Sequence, residues 1–296
     1  MRQYFYSDPL RILGVDFTSS PRVAKPIVVS NCQLKNAQLT YLGMDEYTDW
    51  QGFEAFLAQS GAWVVGMDFP MGMPRRLIEA LGWGKNWQEY VQLVAGMSRD
   101  EFVATLDQYR LNQPMGDKEH RRYADVLAGA ISPMKLYVVP VGKMFYEGVK
   151  RLWRSQIYIP PFYFDWVDQA FEISGTKAIE QRVALETYPA LAVRRWLGRT
   201  SYKNDNKRKQ TEAMRSAREE VMRRLRSPDL VDIYGVSLVI EDQAAAEIVS
   251  DGSGDQLDAL ICAIQAAWAV GQPNYGIPEN CDRLEGWIVD PSMLRK

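Results

Sequence analysis

Residues 252–270, Gly-Ser-Gly-Asp-Gln-Leu-Asp-Ala-Leu-Ile-Cys-Ala-Ile-Gln-Ala-Ala-Trp-Ala-Val, constrain the fold more than any other stretch. At about 3.6 residues per turn, Leu257, Ile261, Ile264 and Trp268 form one apolar stripe, while Asp255, Asp258, Cys262 and Ala266 line a different face. A helix apolar nearly all round has to be covered on both sides, which calls for a layered core. Ser253 as N-cap with Gln256 three residues on predicts a capping box. The helix dipole accounts for Asp255 in the first turn. Asp258 lies about a turn deeper, and a buried ionised carboxylate must be paired, hydrogen-bonded or bound to a metal.

The surrounding chain supplies such a core. Leu10 to Val15 reads as a buried strand ending in Asp16, with hairpin partners expected at 26–30 and 37–42. An amphipathic helix follows from Asp49 as N-cap to Ser60, then a second apolar strand, Trp63-Val-Val-Gly-Met, that runs into Asp68. The turn Phe69-Pro-Met-Gly-Met-Pro74 stops that strand and sets up the next helix. A third strand, Arg182-Val-Ala-Leu, ends in Glu186 and passes through Thr187-Tyr188-Pro189 into a helix that Gly198 terminates. Between the second and third strands, helical patterns at 76–81, 87–95 and 100–109, a polar stretch at 112–122 and the aromatics Tyr158, Phe162, Tyr163, Phe164 and Trp166 read as a mostly helical insertion. The aromatics are expected to serve packing. We therefore expect an α/β fold, a mixed sheet flanked by helices. Its core would be 1–74 and 176–270, its helical cap insertion 75–175, and its surface-packed tail 271–296.

Composition narrows the function classes. A hydrophobic share of 47% with 24% charged residues belongs to a folded chain, and a formal net charge of -2 argues against a broadly basic nucleic-acid binder while leaving room for a local basic patch. Eight Lys/Arg against three Glu between Lys207 and Arg226 is such a local excess. Helical spacing of Arg208, Glu212, Arg215, Glu219 and Arg223 instead predicts a salt-bridged, solvated face, with Ala213, Ala217, Val221 and Leu225 inward. Cys32, Cys262 and Cys281 are far apart and His120 is the sole histidine, which excludes the usual Cys/His zinc sites. With neither a secretory leader pattern nor an apolar run of membrane-spanning length, we expect no membrane association and a reducing, cytoplasmic location.

In open α/β sheets the carboxyl ends of strands form the ligand crevice. Asp16, Asp68 and Glu186 all stand at such ends, and Asp258 on the buried helix joins them. Clustered like charges do not all stay ionised without a cation. All-oxygen donors point to Mg2+ or Mn2+, and sites of this kind serve in-line displacement at phosphorus.

Four segments, Gly14-Val-Asp16, Gly66-Met-Asp-Phe-Pro-Met-Gly-Met-Pro74, Glu186-Thr-Tyr-Pro189 and Gly254-Asp-Gln-Leu-Asp-Ala-Leu260, resemble in sequence and order the motifs of a family of predicted ribonuclease H-like nucleases, the domain of unknown function 429. The resemblance runs over roughly residues 10–270. It implies a ribonuclease H-like core with a two-metal carboxylate site, in which Asp16 is the first-strand aspartate, Asp68 and Glu186 are the later strand-end carboxylates, and Asp255 and Asp258 form the final-helix pair. That pair's spacing is similar to the one used by Holliday-junction-resolvase-type members of the superfamily. The long segment between Asp68 and Glu186 departs from the family pattern, so substrate choice does not carry over.

The expected function is a hydrolase, a metal-dependent nuclease acting on DNA or RNA. Asp16, Asp68, Glu186 and Asp258 would be catalytic, Asp16, Glu186, Asp255 and Asp258 would hold metal, and Arg75 and Lys203 would bind phosphate. Two alternatives stand beside it. One is an ATP-binding phosphotransferase or ATPase of the actin-like superfamily, suggested by Gly14-Val-Asp-Phe-Thr-Ser-Ser20; the other is a non-catalytic nucleic-acid-binding relic of the fold.

Overall fold

The protein is described by a computed structural model over residues 9–162 and 182–294. Its centre is a six-stranded mixed sheet in the order β5-β4-β1-β2-β3-β6, built from β1 (Leu10–Asp16), β2 (Ile27–Lys35), β3 (Gln38–Tyr47), β4 (Trp63–Met67), β5 (Arg182–Glu186) and β6 (Ser237–Val239). β1, β2 and β3 make antiparallel hairpins, longer than the sequence pattern suggests. On the other side of β1, β4 and β5 run parallel. The helix α1 (Trp50–Leu57) carries the chain across from β3 to β4, and Asp49 caps it by accepting from the Gly52 amide at 2.8 Å.

Side chains alternate across the strands, so each strand feeds two cores. Ile12, Val64, Val183 and Leu185 face one of them; Leu13, Val15, Val65, Met67 and Ala184 face the other. The second core is covered by α1 and by helices of the segment after β4: α2 (Arg75–Leu81), α3 (Trp87–Gly96), α4 (Arg99–Leu111) and α6 (Val141–Arg154); α5 (Tyr123–Ala128), between α4 and α6 in the chain, gives Ala124 and Ala128 to the first core. Val91, Phe102, Phe145 and Val149 from these helices are fully buried together with Leu13 and Val65 of the sheet. These helices are thus the layer that closes one face of the sheet. Phe162 stacks on Trp87 at 4.9 Å, a packing role; Tyr163, Phe164 and Trp166 lie outside the described residues.

The first core is covered by α7 (Pro189–Leu197), α8 (Glu212–Leu225), α9 (Pro228–Tyr234), α10 (Asp242–Ser250) and, in the middle, α11 (Asp255–Val270). Every residue of α11 except Gln256 is buried, as its all-round apolarity requires. Its start differs from the expected capping box. Gly254, at φ 73°, precedes the helix, and the carboxylate of Asp251 does the capping, accepting from the amides of Ser253 and Gln256 at 3.0 Å each. The Ser253 hydroxyl donates to the same carboxylate at 2.5 Å, so it is turned to Asp251 and not to the helix amides. The α8 face is also shifted: Arg208 sits in a short 3-10 turn before the helix, Ala213 is exposed, and Ala217, Val221, Met222 and Leu225 are buried. No helix among the described residues is long and apolar enough to cross a membrane.

Candidate metal centre

Two glycines set the site. Gly14 and Gly66 are paired neighbours on β1 and β4, each two residues before an aspartate. A Cβ on Gly14 would lie 1.9 Å from the Ala259 carbonyl oxygen, and one on Gly66 would lie 2.3 Å from that of Cys262. The backbone of α11 therefore rests directly on the sheet. Because side chains two apart share a face, Asp16 and Asp68 project on the same side as Gly14 and Gly66, beneath the first turns of α11.

There they meet Asp258. Single carboxylate oxygens of Asp16, Asp68 and Asp258 all lie within 4.8 Å of one another. Asp16 and Asp258 are buried and Asp68 is partly buried. Asp258 accepts from the Tyr202 hydroxyl at 2.7 Å and from the Lys203 ammonium. Lys203 reaches it by running across Gly254, where any Cβ would collide with the lysine stem. The turn before α11 is packed just as tightly, since a Cβ on Gly252 would meet the Gln210 side chain at 2.1 Å. Arg218, buried on α8, donates to the carbonyls of Tyr202 at 2.7 Å and Val249 at 2.8 Å, tying this loop down.

Asp255 stands one turn earlier and is held by Lys25, whose ammonium donates to both of its oxygens, at 2.8 and 2.9 Å, and to Asp205 at 2.8 Å. Asp16, Asp68, Asp255 and Asp258 thus face the ammoniums of Lys25 and Lys203, an excess of two negative charges when all are ionised. The acids respond. Burial pushes Asp16 well above the usual carboxylate range, with Lys203 opposing and Asp255, Asp258 and Asp68 adding to the rise. Burial and the charge of Asp258 bring Asp68 up to about 7. For Lys203, burial works against the charged form, but Asp258, Tyr202 and Asp16 outweigh it and hold the ammonium charged.

Glu186 is not in this cluster. Residues 183 and 185 of β5 face the α11 side, so Glu186, like Ala184, faces the other one, where its cross-strand partner is Met67. Alternation by single residues decides this, and it puts Thr187 on the α11 side in place of a carboxylate. Glu186 instead forms a two-pronged ion pair with buried Arg122, at 2.5 and 2.8 Å, and accepts from the Met71 amide at 2.8 Å. Asp125 takes the other edge of the same guanidinium, at 2.7 and 3.0 Å. The pair pins the Phe69–Pro74 turn and α5 to the end of β5. Arg75 is equally engaged: it binds Asp282 at 2.6 and 2.7 Å and Glu79 at 3.1 Å on the protein surface.

A family model described as a protein of unknown function, DUF429, matches residues 164–282. That span takes in Glu186, Lys203, Asp255 and Asp258, while Asp16 and Asp68 lie outside it. No curated protein and no solved structure matches the chain.

Lys203 and Asp255 were legible as candidates in the sequence, although their immediate partners were not. Tyr202, Lys25, Arg122 and Arg218 carry no motif signal. Only the adjacency of Tyr202 to Lys203 offered a hint. The three-carboxylate donor set suits a hard divalent ion: octahedral Mg2+ takes oxygen ligands at about 2.1 Å, which places neighbouring donors roughly 3 Å apart, within a small side-chain adjustment of the observed spacing.

Proposed function

We propose that the protein is a divalent-metal-dependent phosphodiesterase that hydrolyses nucleic acid, DNA or RNA, on a ribonuclease H-like core. The observation that carries the reading is the meeting of Asp16, Asp68 and Asp258 at two strand ends and one helix start, more acids than the neighbouring ammoniums neutralise when all are ionised. The antiparallel hairpins on one side of β1 and the parallel strands on the other support the fold assignment. So do the four motifs in their order and the family match over 164–282.

In this reading Asp16, Asp68 and Asp258 hold Mg2+ or Mn2+. The bound ion supplies Lewis-acid stabilisation of the phosphoryl oxygens and orientation for in-line attack by water. Tyr202 fixes one oxygen of Asp258 through its hydroxyl, so the other faces Lys203. The Lys203 side chain, 37% exposed, carries its ammonium to Asp258, where it offers a phosphate oxygen a positive partner. Asp255, both of whose oxygens are held by Lys25, adds to the rise at Asp16 and would join a metal only by exchanging that lysine. Glu186 serves the same centre by positioning the Phe69–Pro74 turn that follows Asp68.

The test combines calorimetric titration with Mn2+ and cleavage of single- and double-stranded DNA and RNA. Wild type is expected to bind Mn2+ and to cleave at least one of these polymers only when metal is added. Asp16→Asn combined with Asp258→Asn is expected to lose both. Retained Mn2+-dependent cleavage in that double variant would remove the assignment.

A further inference from the structure

Cations around the site fall into two kinds. On α8 and just after it, Arg215 pairs with Glu219, Arg223 and Arg224 with Glu220, Arg224 also with Asp229, and Arg226 with Asp242. Arg218 is buried against carbonyls. Immediately before that helix, Lys207, Arg208 and Lys209 are exposed on a 3-10 turn whose start is capped by Asn206. Among the described residues none of the three has an ion-pair partner. Arg22, exposed on the β1–β2 connection, has none either.

The turn is anchored to the acidic centre from two directions. Lys203, four residues before Lys207, holds Asp258, and Asp205, two residues before it, is bridged through Lys25 to Asp255. Asn204 donates its amide to the Gly252 carbonyl at 3.2 Å, fixing the loop on the start of α11. Chain geometry keeps the Lys207 Cα within about 14 Å of that of Lys203. Three adjacent cations without partners, rigidly held that near a centre that repels anions, make a place for negative charge lying beside the centre. Phosphates flanking a scissile bond have that arrangement; a mononucleotide does not.

We propose that Lys207, Arg208 and Lys209, together with Arg22, whose backbone pairs with that of Lys25, bind the sugar–phosphate backbone of a nucleic-acid strand as it leads into the carboxylate centre. The proposal rests on the nuclease reading only for the direction in which the strand runs, since binding to the turn is independent of hydrolysis.

The experiment measures the binding of a fluorescent oligothymidylate and of a DNA duplex to the full chain in EDTA, by anisotropy across a salt series. The triple variant K207Q/R208Q/K209Q is compared with wild type and with R215Q/R223Q/R224Q on α8. Exposed side chains leave folding unchanged, which an unaltered melting temperature confirms. Expected is a roughly 10- to 100-fold loss of oligothymidylate affinity in the first variant near 0.1 M salt, with a salt slope smaller by about 2, and no comparable loss in the second. Equal affinity in wild type and K207Q/R208Q/K209Q, absence of binding by wild type, or equal competition by poly-glutamate would overturn the proposal. Intact Mn2+-dependent cleavage with no change in K207Q/R208Q/K209Q binding defeats the proposal and spares the nuclease reading; binding that depends on the turn without any cleavage does the reverse.

Discussion

At the end of β5, Glu186 meets a guanidinium that also grips Asp125, and all three groups are buried. One and two strands away, Asp68 and Asp16 meet another aspartate and share a lysine with it. The same local sequence, an apolar strand ending in an acid, has produced a satisfied structural clamp in one place and an under-neutralised cluster in the other. Which one arises depends on which face of the sheet the last residue occupies. Facing the helical layer of 75–162, an acid finds Arg122. Facing α11, it finds more carboxylates, brought close by the glycines beneath that helix.

The largest expected effect breaks the clamp. Arg122→Met leaves Glu186 and Asp125 buried without their cation and should cost about 3–5 kcal/mol, read from urea denaturation. A loss under about 1 kcal/mol would show that the clamp is not structural. Next, Gly14→Ala forces a methyl group against the backbone of Ala259. It should cost about 2–3 kcal/mol and, by lifting α11, weaken Mn2+ binding measured by calorimetry. Unchanged metal affinity in a folded Gly14→Ala protein would mean that the glycine contact does not set the site.

Removing a charge from the cluster should have the opposite sign. Asp68→Asn is expected to stabilise the metal-free protein by about 1 kcal/mol at pH 8, while removing the rise in melting temperature that Mn2+ gives wild type. The pH profile isolates one member of the cluster. Asp68 has its folded value raised to about 7, so between the ordinary carboxylate range and that value the folded state holds more protons than the unfolded one. Stability of the metal-free protein therefore falls as pH rises through this window, and metal affinity climbs over the same range as the carboxylates ionise. In EDTA the melting temperature of wild type should decline from pH 5 to 8 more steeply than that of Asp68→Asn. Parallel profiles would show that Asp68 is not the titrating group.

Much of this was legible in the chain. The apolar runs ending at Asp16, Asp68 and Glu186 marked β1, β4 and β5 because strand burial needs nothing beyond the residues themselves. The small residues of α11 announced close packing, and Gly14 and Gly66 are where it happens. Position along a strand also put Asp16 and Asp68 at its end, and helix depth singled out Asp258. The α5 and α6 helices were not evident, and the cap of α11 fell to Asp251, a local choice that the left-handed turn at Gly254 decides.

Sequence by itself determined that a sheet of apolar strands ends in acids and that a doubly buried helix crosses it, because hydrophobic period and residue size act locally. Only the tertiary structure decided which acids meet. A shift of one residue turned Glu186 to the opposite face, and long-range partners, Lys203 and Tyr202 for Asp258, Lys25 for Asp255 and Arg122 for Glu186, then fixed the charge each acid sees. Burial and Coulomb forces depend on distances in space, and these arise only when the two layers close on the sheet.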